Sequence, residues 1–81
     1  MNKEEQKRIY DIIQDDDFPE DQLHFCEEFY RVSRNWYISI GFAIVDGKGY
    51  KFSYSDDEGI YDDSIEEDNT AFDYIKKSDK K

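Results

Sequence analysis

The chain has 81 residues and a net charge of −10, from 21 Asp and Glu residues against 11 Lys and Arg residues. This length predicts one domain with a small core, and the abundance of aromatic residues (7 Tyr, 6 Phe and 1 Trp) favours a folded domain over a disordered acidic tail. The negative charge disfavours direct binding to nucleic acid or to an anionic membrane.

Cysteine content and hydropathy bear on the compartment. The single cysteine, Cys26, excludes an intramolecular disulfide and fits a reducing environment. The residues after Met1 lack the apolar core of a signal peptide. The longest apolar stretch, residues 36–45, is far shorter than the roughly 20 residues that span a bilayer. We therefore expect a cytoplasmic protein.

The first predicted element is a helix over residues 3–14. Asn2 is positioned to cap it, with Glu5 three residues later completing a capping box. Three isoleucines fall on one helical face and form the expected core contact: Ile9, Ile12 and Ile13.

A second helix is predicted over residues 18–33. Asp17 and Glu20 form another capping box, and Pro19 fits the first turn. At 100° per residue the polar side chains fall in one arc, opposite the apolar ones: Glu20, Asp21, His24, Glu27, Glu28 and Arg31. An alternative treats residues 27–33 as a strand, which would give a three-stranded antiparallel sheet.

A β-hairpin is predicted next, from residues 36–45 and 50–55. The intervening Asp46-Gly47-Lys48-Gly49 is a strong turn signal. Because residues 36–44 are apolar on both faces for much of their length, helices are expected to cover at least one face of the sheet.

The chain is predicted to end in a helix that starts at Ser64, with Glu67 completing a capping box. Ile65, Phe72 and Ile75 have roughly helical spacing, and the basic tail of residues 78–81 is expected to fray. The predicted fold is therefore a small single α+β domain over residues 1–81, with two N-terminal helices, a hairpin and a C-terminal helix.

The acidic residues are concentrated in two blocks. Residues 11–28 and 52–68 each carry eight acids and no Lys or Arg, whereas the remaining segments are mildly basic. Segregated charge of one sign indicates a binding field more than a need for solubility, although acidic runs are also typical of solvated loops. The candidate partner-binding residues are Asp15, Asp16, Asp17, Glu20, Asp21, Glu27, Glu28, Asp56, Asp57, Glu58, Asp62, Asp63, Glu66, Glu67 and Asp68.

No residue pattern indicates an enzyme or a cofactor site. On a helix, His24 and Cys26 would point about 160° apart, so they could not act together in nucleophilic catalysis. One Cys and one His do not make a transition-metal site. An EF-hand loop with Gly59 at its sixth position would need an acid where Tyr54 stands. We expect no catalytic residue, no cofactor and no specific metal site; loose divalent-ion binding at the acidic runs stays open.

In size, charge and mixed α+β layout the chain resembles the small acidic DNA-mimic inhibitors of phages and mobile elements, including some anti-CRISPR proteins. The resemblance carries over no individual residue. It implies an inhibitor that acts in the host cytoplasm by occupying a basic, nucleic-acid-binding protein surface. Two alternatives remain: a toxin-neutralising immunity protein or antitoxin, which would cover a basic nuclease and use exposed aromatic residues such as Trp36, Tyr54 or Tyr61, and a non-catalytic adaptor domain.

Overall fold

The computed structural model describes residues 2–34 and 36–78, apart from the side chains of residues 27–30, 32, 33, 36 and 76–78. Two helices and four strands form the fold, with one short 3₁₀ helix. Their bounds are α1 (Lys3–Gln14), the 3₁₀ helix (Glu20–Gln22), β1 (Leu23–Ser33), β2 (Trp36–Val45), β3 (Lys48–Ser55), β4 (Gly59–Glu67) and α2 (Ala71–Ser78).

The first helix is confirmed at both ends. The Asn2 side-chain oxygen accepts a hydrogen bond from the Glu5 backbone N–H at 2.8 Å, which satisfies one of the free donors at the start of α1. Ile9 and Ile13 are buried and Ile12 packs beside them. Each fully buried isoleucine contributes about 2–3 kcal/mol, so this face, more than helix propensity, holds α1 on the sheet.

The four strands form one antiparallel sheet in the order β1-β2-β3-β4. The predicted hairpin is confirmed as β2 and β3, and its turn is the two residues Asp46 and Gly47, which have φ of 55° and 80°. Two consecutive positive φ angles are typical of a type I′ turn, whose twist matches that of the flanking strands. The outer strands of the sheet are therefore β1 and β4.

The two helices pack on opposite faces of the sheet. On the α1 face, Ile9 and Ile13 of the helix pack with Tyr50, Phe52 and other side chains of the sheet. On the α2 face, Ala71 and Ile75 pack on Phe42. Alternate residues of β2 and β3 point to these two faces, which explains why β2 is apolar on both sides. The expectation that helices cover at least one face is confirmed.

The predicted second helix over residues 18–33 is wrong. Glu20–Gln22 is one 3₁₀ turn preceded by Pro19, for which no side-chain cap forms, and the Asp17 N–H bonds to the Asp15 carboxylate instead of starting a capping box. The rest is β1. Its pairing with β2 passes from Phe25–Gly41 to Phe29–Ser39, so residues 26–28 interrupt the ladder. This interruption breaks the period-two pattern and leaves a sequence that fits a helix by chance.

The predicted last helix starts too early. Ser64 and Glu67 belong to β4, and α2 begins at Ala71 after a turn in which the Asp68 carboxylate accepts from the Thr70 N–H at 2.9 Å. Ile65 therefore lies in the core of the α1 face, whereas Ile75 lies on the α2 face. The fold is α+β, with four strands rather than two or three and one fewer α-helix. Ser78 ends α2, and residues 79–81 of the predicted frayed tail lie outside the described residues.

Candidate protein-binding site

The second acidic block lies along one edge of the sheet. Asp56, Asp57 and Glu58 form the turn between β3 and β4, and the other acids follow on β4 and directly after it. All of them are exposed except the half-buried Asp68. We call this surface the β4 edge: Asp56, Asp57, Glu58, Asp62, Asp63, Glu66, Glu67 and Asp68.

A local irregularity of β4 concentrates these acids. The pairing with β3 passes from Ser53–Tyr61 to Lys51–Glu66, so residues 62–65 lie opposite the single residue Phe52. The Ser64 hydroxyl closes the gap, because it accepts from the Ser53 N–H at 2.8 Å and donates to the Tyr61 carbonyl at 2.6 Å. Such bulges redirect side chains and end regular pairing. Here the bulge presents Asp62 and Asp63 to solvent.

Helix α1 holds the bulge from outside. The Gln6 side-chain amide donates to the Ile65 carbonyl at 2.9 Å and to the Asp63 carbonyl at 3.3 Å. An edge strand normally presents free carbonyls that invite pairing with another strand. Gln6 occupies two of them, so it both fixes the shape of the β4 edge and restricts strand addition at this point.

The bulge shortens the distance over which the charge is spread. The pairs Ser55–Gly59 and Tyr50–Glu67 are five residue steps apart on β3, about 17 Å at about 3.4 Å per residue. The nine residues of β4 occupy that length. With the turn and Asp68 included, the eight acids lie within about 20–25 Å, or one charge per about 3 Å. B-DNA carries one charge per about 3.4 Å along each strand, so the spacing is comparable.

Two contacts within the β4 edge have electrostatic consequences. Lys51 Nζ lies 3.7 Å from Glu66, an exposed pair of small energetic weight. The Thr70 hydroxyl and backbone N–H both donate to Asp68, and these hydrogen bonds hold the pKa of Asp68 below its ordinary value. Asp68 is therefore tied to the turn that starts α2, while the acids before it face solvent.

The first acidic block lies elsewhere. Asp15, Asp16 and Asp17 follow α1, and Glu20 and Asp21 lie in the 3₁₀ helix that leads into β1. All five are exposed. Because β1 and β4 are opposite outer strands, three strand spacings or about 14 Å separate their axes. The acids that lead into β1 therefore do not share an edge with those of β4.

The predicted helical arc of polar side chains is also wrong. Glu20 and Asp21 lie in the 3₁₀ turn and His24 lies on β1, so they do not share a helix with residues 27 and 28. The backbone of Glu27 and Glu28 lies in the interruption of β1, and their side chains lie outside the described residues.

His24 and Cys26 are two residues apart on β1, so their side chains face the same side of the sheet. On the predicted helix they would have pointed in opposed directions. The His24 ring stacks on Tyr74 at 5.2 Å, and the partly buried Cys26 packs on the core of the α2 face. Over the described ranges, no cluster of three or more His, Cys, Asp and Glu side chains is arranged to hold a metal ion. Neither described helix has the length and hydropathy of a membrane span.

Sequence reasoning missed the exposed aromatic residues of the α1 face. Phe25 is 43% exposed and Tyr37 is 49% exposed. These are not the aromatic residues that the sequence suggested as exposed anchors. Tyr54 is half-buried and donates to the Cys26 carbonyl, and Tyr61 is half-buried and donates to the Ser55 hydroxyl. The Trp36 side chain lies outside the described residues. Strand alternation could have found Tyr37, because it shares a face with the small Ser39 and Gly41, which leave a large ring uncovered.

Comparison with protein-family models, with curated proteins and with solved structures gives no match for this chain.

Proposed function

We propose that this chain is a non-catalytic, protein-binding inhibitor whose β4 edge occupies a basic, nucleic-acid-binding surface of a target protein, in the manner of a DNA mimic. The observation that supports this most is the charge spacing of the β4 edge, which approaches that of one DNA strand. A groove lined with Lys and Arg to neutralise phosphates offers the complementary charge.

The rigidity of the β4 edge also supports the proposal. The Ser64 hydroxyl and the Gln6 amide fix the bulge from both sides, so Asp62 and Asp63 are held in place before a partner arrives. A surface that is ordered in advance loses less conformational entropy on binding than a flexible acidic tail. The same carboxylates would repel nucleic acid itself, so the partner is a protein.

The proposal is tested by affinity capture with a matched variant. The immobilised chain and an edge variant, in which Asp62 and Asp63 become Asn and Glu66 and Glu67 become Gln, are incubated with lysate of a candidate host at 50 and 500 mM salt. We expect the native chain to retain nucleic-acid-binding proteins at low salt only, and duplex DNA to elute them by competition. The edge variant should retain about tenfold less, because four of the eight charges of the β4 edge are removed.

A second variant controls for charge alone. Neutralising four exposed acids of the helices and the β2–β3 turn, Glu4, Asp11, Asp46 and Asp73, removes the same number of charges elsewhere on the surface, and we expect capture to change by less than about threefold. Equal loss in both variants would show that net charge, not the β4 edge, governs capture. Retained proteins that duplex DNA fails to displace would refute the mimic.

The immunity-protein alternative has one observation in its favour, the exposed Phe25 and Tyr37. Immunity proteins and antitoxins bind a single toxin through interfaces with aromatic anchors, and such interfaces depend less on salt than purely ionic ones. The capture at 500 mM salt separates the two proposals, because an immunity complex persists there and a mimic complex dissociates.

A further inference from the structure

The α1 face of the sheet is covered unevenly. Helix α1 packs mainly against β4 and, less extensively, against β2. On the β1 side of this face, Phe25 and Tyr37 are 43% and 49% exposed, although the other aromatic side chains that the structure describes on the sheet are buried or half-buried. Among the described side chains, the aromatic surface on this side is formed by Phe25, Tyr37 and Tyr54; we call it the aromatic half-face.

The aromatic half-face is anchored from below. The Phe25 ring meets the Tyr54 ring edge-on at 4.9 Å and the buried Phe52 ring at 5.9 Å. The Tyr54 hydroxyl is held by the Cys26 carbonyl at 2.6 Å. Phe25 thus packs against these rings while 43% of it stays exposed. An exposed aromatic side chain that is supported by its neighbours is typical of a binding anchor.

Acidic residues lie at both ends of the aromatic half-face. The exposed Glu20 and Asp21 lie in the 3₁₀ turn directly before Leu23, the first residue of β1. At the other end, continuing the β2–β3 register places Asp56 opposite Tyr37, with Asp57 and Glu58 next in the turn. Among the described side chains of β1 and the turn after it, two bases accompany these five acids: Arg31, which lies opposite Tyr37 and donates to the Arg34 carbonyl, and Arg34 itself. The five acids outnumber these two bases by three.

We infer that the aromatic half-face binds arginine side chains of the target protein, whose guanidinium groups stack on Phe25 and Tyr37 while the neighbouring carboxylates pair with their charge. The inference rests on the proposed function and specifies which basic residues the partner presents. A guanidinium has a planar face that stacks on aromatic rings, and two of its N–H donors can bind one carboxylate together. The lysine ammonium has neither feature.

Charge also argues against a second copy as the occupant. Two chains of net charge −10 would bring acidic surroundings of the same sign together. A purely apolar partner would leave these carboxylates partly desolvated without counter-charges. A basic partner rich in arginine satisfies both the rings and the acids.

The test compares two peptides of equal charge. The full chain is titrated calorimetrically at 50 mM salt with a capped dodecapeptide of alternating Arg and Gly, and with the corresponding Lys–Gly peptide. Each stacked guanidinium is expected to add about two- to fivefold in affinity, so two give about a tenfold preference for the arginine peptide. The double variant Phe25→Ser, Tyr37→Ser should reduce that preference to within about threefold and leave the affinity for the lysine peptide unchanged.

Tyr74→Ser is the matched control, because Tyr74 is also 43% exposed but lies on the α2 face. It should retain the tenfold preference. Thermal unfolding of each variant identifies any that fails to fold. If the double variant does not fold, Tyr37→Ser alone changes only the more exposed of the two rings and should still remove about half of the arginine preference on a logarithmic scale. Equal affinity of the native chain for both peptides, an unchanged preference in the double variant, or an equal loss in Tyr74→Ser overturns this inference alone. If neither peptide binds, the proposed function is overturned as well.

Discussion

Gln6 is the residue whose substitution tests the architecture of the β4 edge most directly. Its amide donates to two carbonyls of the bulge, one part-buried at 2.9 Å and one exposed at 3.3 Å. A hydrogen bond of this kind contributes about 0.5–1.5 kcal/mol net, so Gln6→Ala should lower the free energy of unfolding by about 1–2 kcal/mol. Alanine is the better helix former, which offsets a few tenths of that loss.

Gln6→Glu sharpens the test because it keeps the size of the side chain. At pH 7 the new carboxylate can donate to neither carbonyl, and it lies against their oxygens and beside Asp63. We expect a loss of about 2–4 kcal/mol, greater than for Gln6→Ala. The folded protein disfavours this charge, so its folded pKa lies above the unfolded value. Protonation near pH 4 restores one donor, and the loss relative to the native chain should shrink there to about 1 kcal/mol.

Urea unfolding of the native chain and both variants at pH 7 and pH 4 measures these differences. Gln14→Ala is the control in the same helix, since the Gln14 amide donates only to the Tyr10 hydroxyl among the hydrogen bonds described, and it should cost less than about 0.5 kcal/mol. The reasoning is refuted if Gln6→Glu is no more destabilising than Gln6→Ala at pH 7, or if their difference does not narrow at pH 4.

Three further predictions concern the core and the ends of the pH range. Burial raises the pKa of Tyr50, so as the pH rises this hydroxyl ionises in the unfolded chain before it ionises in the folded one. The free energy of unfolding should therefore fall as the pH rises from about 10 through the higher folded-state pKa. Tyr50→Phe should remove most of this fall, as measured by urea unfolding between about pH 8 and 11. At Gly41 an added Cβ would lie 2.5 Å from the buried Phe52 ring, so Gly41→Ala should cost about 1–3 kcal/mol and lower Tm by about 5–15 °C. The pKa of Asp68 is lower in the folded chain than in the unfolded chain, so this carboxylate stabilises the fold at pH values above its unfolded-state pKa. That stabilisation is lost as the pH falls through the folded-state pKa. Thr70→Val removes one donor to the carboxylate and should raise its pKa in an NMR titration.

Each of these has an internal check. Combining Gly41→Ala with Phe52→Leu should cost less than the sum of the two single changes, because the smaller side chain makes room for the methyl group; strict additivity would contradict the steric reason. An alkaline loss unchanged in Tyr50→Phe would assign it to other tyrosines.

Helix α1 and the β2–β3 hairpin could be predicted because their signals are local. The Asn2 cap, the spacing of Ile9 and Ile13 and the Asp46–Gly47 turn each act within a few residues. The packing of helices on both faces of the sheet is also foreshadowed in the sequence, because strand β2 is apolar on both of its faces. Such elements need no knowledge of what they pack against.

Strand β1 was predicted only in part, as the alternative strand over residues 27–33, and β4 was not predicted, because each strand is interrupted. In β1 the Cys26 carbonyl accepts from the hydroxyls of Ser39 and Tyr54, partners on two other strands that no local pattern shows. In β4 the interruption depends on Ser64 and on Gln6, which is nearly sixty residues away in the chain. The positions of the acidic blocks along the chain were evident from the sequence, whereas the placement of β1 and β4 on opposite outer strands follows from strand order alone.

The acids of the β4 edge have a second physical role that competes with the proposed one, since charges on an outer strand also prevent edge-to-edge pairing. The edge variant with Asn and Gln at 62, 63, 66 and 67 distinguishes the roles. If the acids serve partner binding, the variant should stay monomeric in sedimentation, because Gln6 still occupies two carbonyls, and should be slightly more stable because like-charge repulsion is reduced. It should nevertheless lose the salt-dependent capture. A variant that self-associates while it still captures the same proteins would show that these acids guard the edge, and the binding surface would then have to be sought on the aromatic half-face.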